Sequence, residues 1–346
     1  MPGRVHTTGI IVKEAGDELD VPARYTRPIY GVRLYARSMR SMDLFAPGYY
    51  FLTTETAGLL RWLAEEAERA GATMRYATSV RSESRENGDI VLPEAGIRAR
   101  YLVGADGARS SVARILGLGR NTRFLTGLEA EYSALGGCYS LFLHCFVDHR
   151  IAPGYIGWVA PAPGFFQVGL ATSRNRKPDL GAFRSHTGDL FAYDPAALAE
   201  RRSGLIPCGG LVLPFAAEGV LLVGDAAGMV SPLTGGGIHP ALRYGRRAGQ
   251  VIADHLQHLG PAPDRVLAQE FSGFGIKHAL RRLMDGAFPA QLVNLLVGTP
   301  VMAEIARRVF FHRRGAKQET MAEYEERLAD HLRMAERPAG RREAPG

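Results

Sequence analysis

The sequence predicts an α/β protein in which a strand–helix domain is combined with an antiparallel sheet and C-terminal helices. Two segments, Tyr101–Arg114 and Gly219–Leu256, each pass from a short apolar run through an acid into a helical pattern, which is typical of α/β domains. Between them, Gly127–Gly169 is rich in strand-forming and aromatic residues, which predicts antiparallel strands. From Gln269 onward the pattern is helical.

The chain is long enough for more than one domain, since 346 residues can bury a large core and length alone favours two domains. We place residues 1–120 and 205–260 in the α/β domain and residues 121–204 in the sheet of a second domain. Residues 261–346 form a helical region, and its last ten residues, rich in Arg, Pro, Ala and Gly, predict a disordered tail.

Local patterns predict individual elements. Gly58–Gly71 has the amphipathic pattern of a helix that ends at a glycine. Ala72–Val80 and Asp89–Val103 alternate as strands do. Gly154–Ala171 contains two apolar runs around a turn at Ala160–Gly164, which predicts a β-hairpin.

The segment Gly219–Leu256 is the most informative part of the chain. A buried strand at Val220–Val223 is followed by the acid Asp225, then by the glycines Gly235–Gly237, and after Pro240 by a helix. Backbone N–H groups at a helix start attract anions and electron-rich oxygens, and glycines allow a ligand to approach closely. The segment therefore predicts a site for a polar ligand; the alternative is a glycine-rich turn that binds nothing.

This segment closely resembles the second FAD fingerprint of flavoproteins with the glutathione-reductase-type FAD fold. The resemblance implies that Asp225 binds the ribityl chain of FAD and that the glycine run lies beside the isoalloxazine. It implies a Rossmann-like FAD-binding domain for residues 1–120 and 205–260 and a substrate-domain sheet for residues 121–204. The cofactor-binding residues that it implies here are Gly224, Asp225, Pro232, Gly235, Gly236, Gly237 and Ile238.

Departures from this FAD fingerprint indicate which branch of the fold family the chain resembles. Aromatic hydroxylases of this fold usually carry His after GDAA, whereas this chain has Gly228 there and continues as PLTGGGI. That continuation resembles the geranylgeranyl reductase branch, whose members reduce isoprenoid C=C bonds.

A second segment supports the same family independently. Ser110 is a suitable N-cap for the helix that follows the strand ending at Val103. The segment resembles the DG motif of the same superfamily, with Asp106 and Gly107 in matching positions and Arg114 one place beyond the usual arginine. The resemblance implies that Asp106 and Gly107 contribute to cofactor binding, whereas the pair alone would indicate only a β-turn.

The predicted hairpin resembles the strand pair of geranylgeranyl reductases that carries a YxWxFPK-like motif along the substrate cavity. Tyr155 and Trp158 do not keep that spacing, and Ala160 and Ala162 replace the motif's Phe and Lys. Tyr155 and Trp158 are candidate substrate-contacting residues; the alternative is that both are core side chains.

The N-terminus does not show the usual opening of this fold. The family begins with a strand and GxGxxG, which cradles the FAD pyrophosphate, and an acid about 20 residues later binds the ribose. The first 22 residues contain no Gly-x-Gly and, by our prediction, no apolar strand. We expect a first βαβ unit to be absent, which makes the chain N-terminally truncated and its retention of FAD weak. Thr7 or Thr8 stands where the family often has a Cys near the flavin.

Composition favours a soluble enzyme in a reducing, cytoplasmic compartment. Hydrophobic residues make up 46% and charged residues 22% of the chain, and the three cysteines share no metal or redox spacing. No apolar run is long enough to span a membrane, and no zinc or nucleic-acid-binding motif is present. The net charge of +7 is concentrated towards Arg307–Lys317, which predicts a solvated basic face; a membrane surface or a phosphate contact is the alternative.

The resemblance implies an FAD-dependent oxidoreductase that reduces C=C bonds of an isoprenoid or similar apolar substrate, with NAD(P)H or another reductant as the electron source. No residue can be named as the proton donor. A flavin-dependent monooxygenase is the alternative within enzymes. A hypothesis of another class is a non-catalytic remnant that does not hold FAD. His239, beside the glycine run, is expected to be a surface or capping residue.

Overall fold

The computed structural model describes residues 5–138, 142–173, 176–271, 273–285 and 295–311, together with Glu326 and Ala329. The predicted disordered tail and most of the basic segment 307–317 lie outside the described residues.

The described part of the chain contains these strands: β1 (Ile10–Val12), β2 (Thr26–Ile29), β3 (Gly31–Ala36), β4 (Ser41–Phe45), β5 (Phe51–Thr54), β6 (Ser84–Glu86), β7 (Asp89–Leu92), β8 (Ile97–Ala99), β9 (Leu102–Gly104), β10 (Phe124–Tyr132), β11 (Phe142–Val147), β12 (Gly157–Ala162), β13 (Phe165–Ser173), β14 (Leu198–Pro207), β15 (Ala216–Ala217) and β16 (Val220–Leu222). Its α-helices are α1 (Lys13–Leu19), α2 (Thr56–Arg69), α3 (Ser111–Ile115), α4 (Leu180–Thr187), α5 (Ile238–Leu256), α6 (Pro263–Glu270), α7 (Gly275–Asp285) and α8 (Pro300–Phe310).

A seven-stranded sheet dominates the fold, with the strand order β14-β10-β13-β12-β11-β3-β4. All its neighbours are antiparallel except β3 and β11. The predicted hairpin is confirmed as β12 and β13, in which Trp158 pairs with Gly169 across a turn at Pro163–Gly164. This sheet buries aromatic and aliphatic side chains on both faces, which explains the strand-rich pattern of Gly127–Gly169.

The α/β part is organised around two parallel strands, β9 and β16, with β15 beside β16. Helix α3 follows β9 and helix α5 follows β16, so both predicted strand–acid–helix segments are confirmed. Because parallel strands place their carboxyl ends at one edge, the loops that carry Asp106 and Asp225 are neighbours. Asn121 joins these loops by donating to the carbonyls of Ala108 at 3.2 Å and Asp225 at 2.8 Å.

The expectation of no apolar strand at the N-terminus is wrong. Ile10–Val12 forms β1, which pairs with β5 in a three-stranded sheet with β2, and Lys13–Leu19 continues directly as α1. The run of three β-branched residues is short, and β5 supplies its hydrogen-bonding partner from 40 residues further along the chain.

The predicted helix Gly58–Gly71 is confirmed as α2, and Gly71 adopts φ +95° after its end. The strand predicted for Ala72–Val80 is wrong, because this segment is exposed over nearly its whole length and no strand forms within it. Alternation alone does not make a strand, since the backbone groups also require a paired neighbour. Asp89–Val103 forms short pieces, of which β7 pairs with β6 on one side and with β8 on the other.

Helices α7 and α8 confirm the helical pattern predicted after Gln269, and α6 begins before it, at Pro263. Within the described residues, no helix combines the length and the apolar character needed to cross a bilayer.

Candidate functional site

A cavity of about 290 Å³ lies between one face of the seven-stranded sheet and the start of α5. The sheet contributes apolar side chains such as Leu143, Trp158 and Ile206, and the N-terminal segment contributes Thr7 and Thr8. The glycine run Gly235–Gly237 forms the opposite wall of the cavity. Of the residues predicted for the site, the cavity lining includes Asp225, Gly235, Gly236, Gly237, Ile238, Tyr155 and Trp158.

The carboxylate of Asp225 has no hydrogen-bond or ion-pair partner within the part of the chain that the structure describes. Strand β16 delivers it to the cavity, and among the described residues no group donates a hydrogen bond to its side chain, although Asn121 holds its backbone carbonyl. Burial raises the pKa of Asp225 because the carboxylate has lost water without gaining a counter-charge. A buried acceptor of this kind is costly unless a ligand supplies donors.

The glycine run places a helix start against that carboxylate. Helix α5 begins after Gly237 without a side-chain cap, so its first N–H groups remain available to a ligand. A Cβ atom at Gly237 would lie 3.0 Å from Asp225 Oδ1, so backbone and carboxylate face each other closely. At Gly235, φ is +64° and a Cβ atom would lie 2.6 Å from the Tyr155 hydroxyl. Gly235 therefore requires glycine, whereas a Cβ at Gly237 would only crowd the Asp225 carboxylate.

Gly228 is also required by its surroundings. Its φ is +71°, and a Cβ atom there would lie 2.1 Å from the carbonyl oxygen of Gly210. Hydroxylases have His at this position, and here the packing of two loops leaves no room for any side chain in place of Gly228.

The remaining predicted cofactor residues lie outside the cavity lining. The Asp106 carboxylate accepts hydrogen bonds from Ser110 Oγ at 2.6 Å and from the N–H groups of Ser111 at 2.6 Å and Val112 at 3.1 Å. Ser110 Oγ in turn accepts from Ala113 N, which confirms Ser110 as the N-cap. The side chain of Asp106 therefore stabilises the start of α3. Gly107, Gly224 and Pro232 are likewise absent from the cavity lining.

Tyr155 and Trp158 lie on the cavity wall formed by the predicted hairpin and the residues just before it. The Tyr155 hydroxyl donates to the carbonyl of Thr234, which connects this wall to the glycine run, and burial raises the pKa of Tyr155. The Trp158 indole lies over Gly169, where a Cβ atom would come within 2.5 Å of the ring. Its Nε1 donates to Glu129 Oε2 at 2.8 Å.

A buried ion pair that was not predicted from the sequence lies on the same wall of the cavity. Glu129 and Arg202 are directly opposite each other on β10 and β14 and are 4% and 8% exposed. Arg202 donates from Nε to Glu129 Oε1 at 2.8 Å, and its Nη2 contacts both Glu129 and Glu131. One feature of the sequence could have indicated this pair. Side chains two residues apart on a strand share a face, so Glu129 lies on the same inward-facing side of β10 as Leu125 and Gly127.

Other candidates have structural explanations. His239 lies in the first turn of α5, where its Nε2 is 3.4 Å from Glu18 Oε1. The described residues contain no cluster of His, Cys, Asp and Glu that could hold a metal ion.

Comparison with known proteins supports a flavoprotein assignment. Residues 8–128 match the family model described as an FAD binding domain. Curated relatives include a digeranylgeranylglycerophospholipid reductase 2 of Methanopyrus kandleri, 31% identical over 65% of this chain and 60% of the relative. The protein of the same name from Methanosphaera stadtmanae is 30% identical over 68% of this chain and 64% of its own length. The chain thus spans about 60% of the length of these two relatives.

Solved structures share the fold. A geranylgeranyl bacteriochlorophyll reductase-like protein from Thermoplasma acidophilum superposes with a TM-score of 0.72 and 20% identity, covering 94% of this chain and 89% of that protein. A probable FAD-dependent monooxygenase from Pseudomonas aeruginosa superposes with a TM-score of 0.62 and 20% identity, covering 86% of this chain and 91% of that protein. The fold is therefore that of FAD-dependent flavoproteins, as predicted, and the chain is a relative of FAD-dependent oxidoreductases.

Proposed function

We propose that this protein is an FAD-dependent oxidoreductase that reduces C=C bonds of an isoprenoid or similar apolar substrate. The observation that carries the proposal is the carboxylate of Asp225, which has no partner among the described residues and faces an uncapped helix start in the lining of a largely apolar cavity. A ligand with several hydroxyl groups beside a flat, partly polar ring fits this set of groups, and FAD has that chemistry.

In this proposal Asp225 accepts hydrogen bonds from ribityl hydroxyls, and the backbone N–H groups at Gly237 and Ile238 face the polar edge of the isoalloxazine. When bound and reduced, the flavin would supply the hydride for one alkene carbon and be oxidised, while a proton would be added to the other carbon. The protein supplies position, a dry wall and exclusion of water, and the apolar side chains contribute affinity at about 25 cal/mol per Å² of buried surface. NAD(P)H or another reductant is the proposed electron source.

The relatives' names support the substrate class, since those from Methanopyrus kandleri and Methanosphaera stadtmanae are named digeranylgeranylglycerophospholipid reductases. A peripheral membrane contact and a cytoplasmic location belong to the same proposal. Helix α8 supports that contact, because Val301, Ile305 and Arg308 recur at helical spacing on it and all three are exposed.

A second candidate is a flavin-dependent monooxygenase, and the fold of the Pseudomonas aeruginosa neighbour favours it. Against it stands Gly228, whose surroundings leave no room for the histidine of aromatic hydroxylases. The third candidate is a remnant that holds no FAD. It predicts that the protein does not bind flavin.

The first experiment measures FAD binding by quenching of flavin fluorescence in the wild type and in Asp225→Asn. We expect saturable binding to the wild type and about 10- to 100-fold weaker binding to the variant, because hydrogen bonds to a charged acceptor contribute about 1.5–3 kcal/mol. Asp189→Asn is the matched control, since Asp189 is exposed and outside the cavity lining. No binding to the wild type would support the remnant, and equal binding by all three proteins would remove Asp225 from the site.

The second arm compares products. Photoreduced, FAD-loaded protein should be reoxidised faster by geranylgeranyl lipids under argon than by small phenols in air, with loss of one C=C bond. Hydroxylated phenol without alkene reduction would instead establish the monooxygenase.

A further inference from the structure

A second pocket lies at the end of the seven-stranded sheet where β11 and β13 finish. One wall is the loop between β11 and β12, and the other is the loop between β13 and α4 with the first turn of that helix. Its volume is about 460 Å³, and it shares no described lining residue with the cavity of the proposed function. We call it the basic pocket, because its lining includes the basic residues His149, Arg150, Arg176 and Lys177.

Two cations of the basic pocket are uncommitted. Within the part of the chain that the structure describes, the side chains of Arg176 and Lys177 form no ion pair or hydrogen bond, and both are exposed. Other arginines of this chain behave differently, since Arg33, Arg202 and Arg247 each contact a carboxylate within 3 Å. The basic pocket therefore presents cations that are available to a ligand.

Two acids lie at the basic pocket, and other groups engage both. Asp179 caps α4, where its Oδ1 accepts the N–H of Ala182 at 3.0 Å. Asp148 is 3% exposed and lies behind Arg150: its Oδ1 accepts the backbone N–H of Arg150 at 2.9 Å and is 3.7 Å from Arg150 Nε. Its Oδ2 is 3.7 Å from Nε2 of His186. At 3.7 Å the guanidinium is attracted to Asp148 without a hydrogen bond, so its donors stay available to a ligand.

Backbone hydrogen bonds hold the two walls of the basic pocket together. The N–H of Ser173 donates to the carbonyl of Pro153 at 2.8 Å, which joins the two loops directly. Thr172 Oγ1 donates to the carbonyl of Arg176 at 2.5 Å, and the N–H of Arg176 donates to the carbonyl of Ser173 at 2.9 Å. The backbone that carries the cations is thus fixed before a ligand arrives, which lowers the entropic cost of binding.

The chemistry of this lining matches a phosphate group. Phosphate presents several strong acceptor oxygens, and guanidinium and ammonium groups bind them through charge-assisted hydrogen bonds. Arg150, Arg176 and Lys177 supply donors of both kinds from two walls of one concave surface. An uncharged ligand would leave these charges unused.

The basic pocket adjoins the cavity of the proposed function. Pro153 lines the basic pocket, and Tyr155, two residues further along the same loop, lines the cavity. Two residues of chain span at most about 7 Å, so the two sites are neighbours across this loop.

We propose that the basic pocket binds the phosphate group of a small molecule, with Arg150, Arg176 and Lys177 as its donors. Two sources share this chemistry, namely the head group of a phospholipid and the 2′-phosphate of a nicotinamide nucleotide. The inference goes beyond the proposed function and does not require it, because the pocket and the flavin cavity are lined by different residues.

The test titrates two pairs of probes, each of which differs by one phosphate, by isothermal calorimetry. The lipid pair is dihexanoylphosphatidic acid and dihexanoylglycerol, below their micelle concentrations, and the nucleotide pair is adenosine 2′-monophosphate and adenosine. The variant is Arg176→Gln/Lys177→Gln. The control is Arg81→Gln/Arg265→Gln, which removes the same two charges at exposed positions outside both linings. Each titration is run without FAD and with saturating FAD.

We expect the wild type and the control to bind the phosphate-bearing member of one pair at least about tenfold more tightly than its counterpart, with or without FAD. The variant should lose about tenfold in affinity for that member, because two charged donors are gone. A preference within the lipid pair identifies a phospholipid head group as the source, and a preference within the nucleotide pair identifies the nucleotide.

Three results would overturn the inference. The first is no preference for phosphate in either pair by the wild type. The second is an equal loss of affinity in the variant and the control, which would indicate general charge attraction. The third is binding that FAD abolishes, which would place the phosphate in the flavin site. Failure of the proposed function is separate: a protein that binds no FAD and still prefers phosphate refutes that function and leaves the basic pocket as inferred.

Discussion

Replacement of Gly169 by alanine should damage the cavity wall although the added group is a single methyl. A Cβ atom there would lie 2.5 Å from Cζ2 and 2.6 Å from Cε2 of the Trp158 indole, so the ring must retreat by about 1 Å to reach an ordinary contact distance. Overpacking of this kind costs about 1–3 kcal/mol. The retreat also stretches the 2.8 Å bond from Nε1 to Glu129, and a hydrogen bond to a charged group is worth about 1.5–3 kcal/mol.

The two effects together predict a loss of about 2.5–6 kcal/mol in the free energy of unfolding. The matched control is Gly127→Ala, on the same face of the neighbouring strand β10, where a Cβ atom would have no neighbour closer than 3.7 Å. There we expect no loss, or a gain of about 0.4–1 kcal/mol from the reduced entropy of the unfolded chain.

Urea unfolding followed by tryptophan emission measures both variants. A Trp62→Phe background removes the other tryptophan, so that the signal reports Trp158 alone. Gly169→Ala should also shift the native emission to the red as the ring loses its shielding. A Gly169→Ala protein within about 0.5 kcal/mol of Gly127→Ala, the size of an ordinary surface effect, with unchanged emission, would refute the reasoning.

Two further predictions concern charge and capping. Burial raises the folded-state pKa of Asp225 above its ordinary 3.8, so the ionised group destabilises the flavin-free fold once pH exceeds that value. Asp225→Asn, which does not ionise, should match the wild type in urea unfolding near pH 3.5 and become progressively more stable than it as pH rises towards 7; a gain that is the same at every pH would contradict this. Ser110→Ala removes the N-cap of α3 and should cost about 1 kcal/mol in unfolding free energy, whereas Ser111→Ala, one residue along, should cost less; equal losses would show that the cap contributes nothing.

The sequence predicted the parts of the fold that local pattern determines. These parts are the elements around Asp106, the elements around Asp225, and the hairpin that carries Trp158. In each of them, the apolar runs, acids and glycines that predict the structure lie within a single segment of about 40 residues. The failed strand at Ala72–Val80 and the unexpected β1 have one cause, since strand formation depends on a partner that lies elsewhere in the chain.

The residues of the candidate site were also predicted only where a single segment of the chain carries them. Asp225 and the glycine run were found because one continuous segment carries them. The pair of Glu129 and Arg202 was missed because its members are 73 residues apart and meet only through the register of β10 and β14. Asp106 was assigned to the cofactor by resemblance; its side chain accepts hydrogen bonds from the start of its own helix, and its contribution to cofactor binding stays a prediction.

The contact between Gly228 and Gly210 limits how this chain can be altered. Any side chain at position 228 needs the backbone at position 210 to move, and position 210 itself has φ +83°. Exchange of Gly228 for the histidine of hydroxylases is thus not a single-residue step, because the loop after β14 must be rebuilt with it. We therefore expect positions 210 and 228 to vary together among homologues, and a grafting experiment should transfer both loops as one unit.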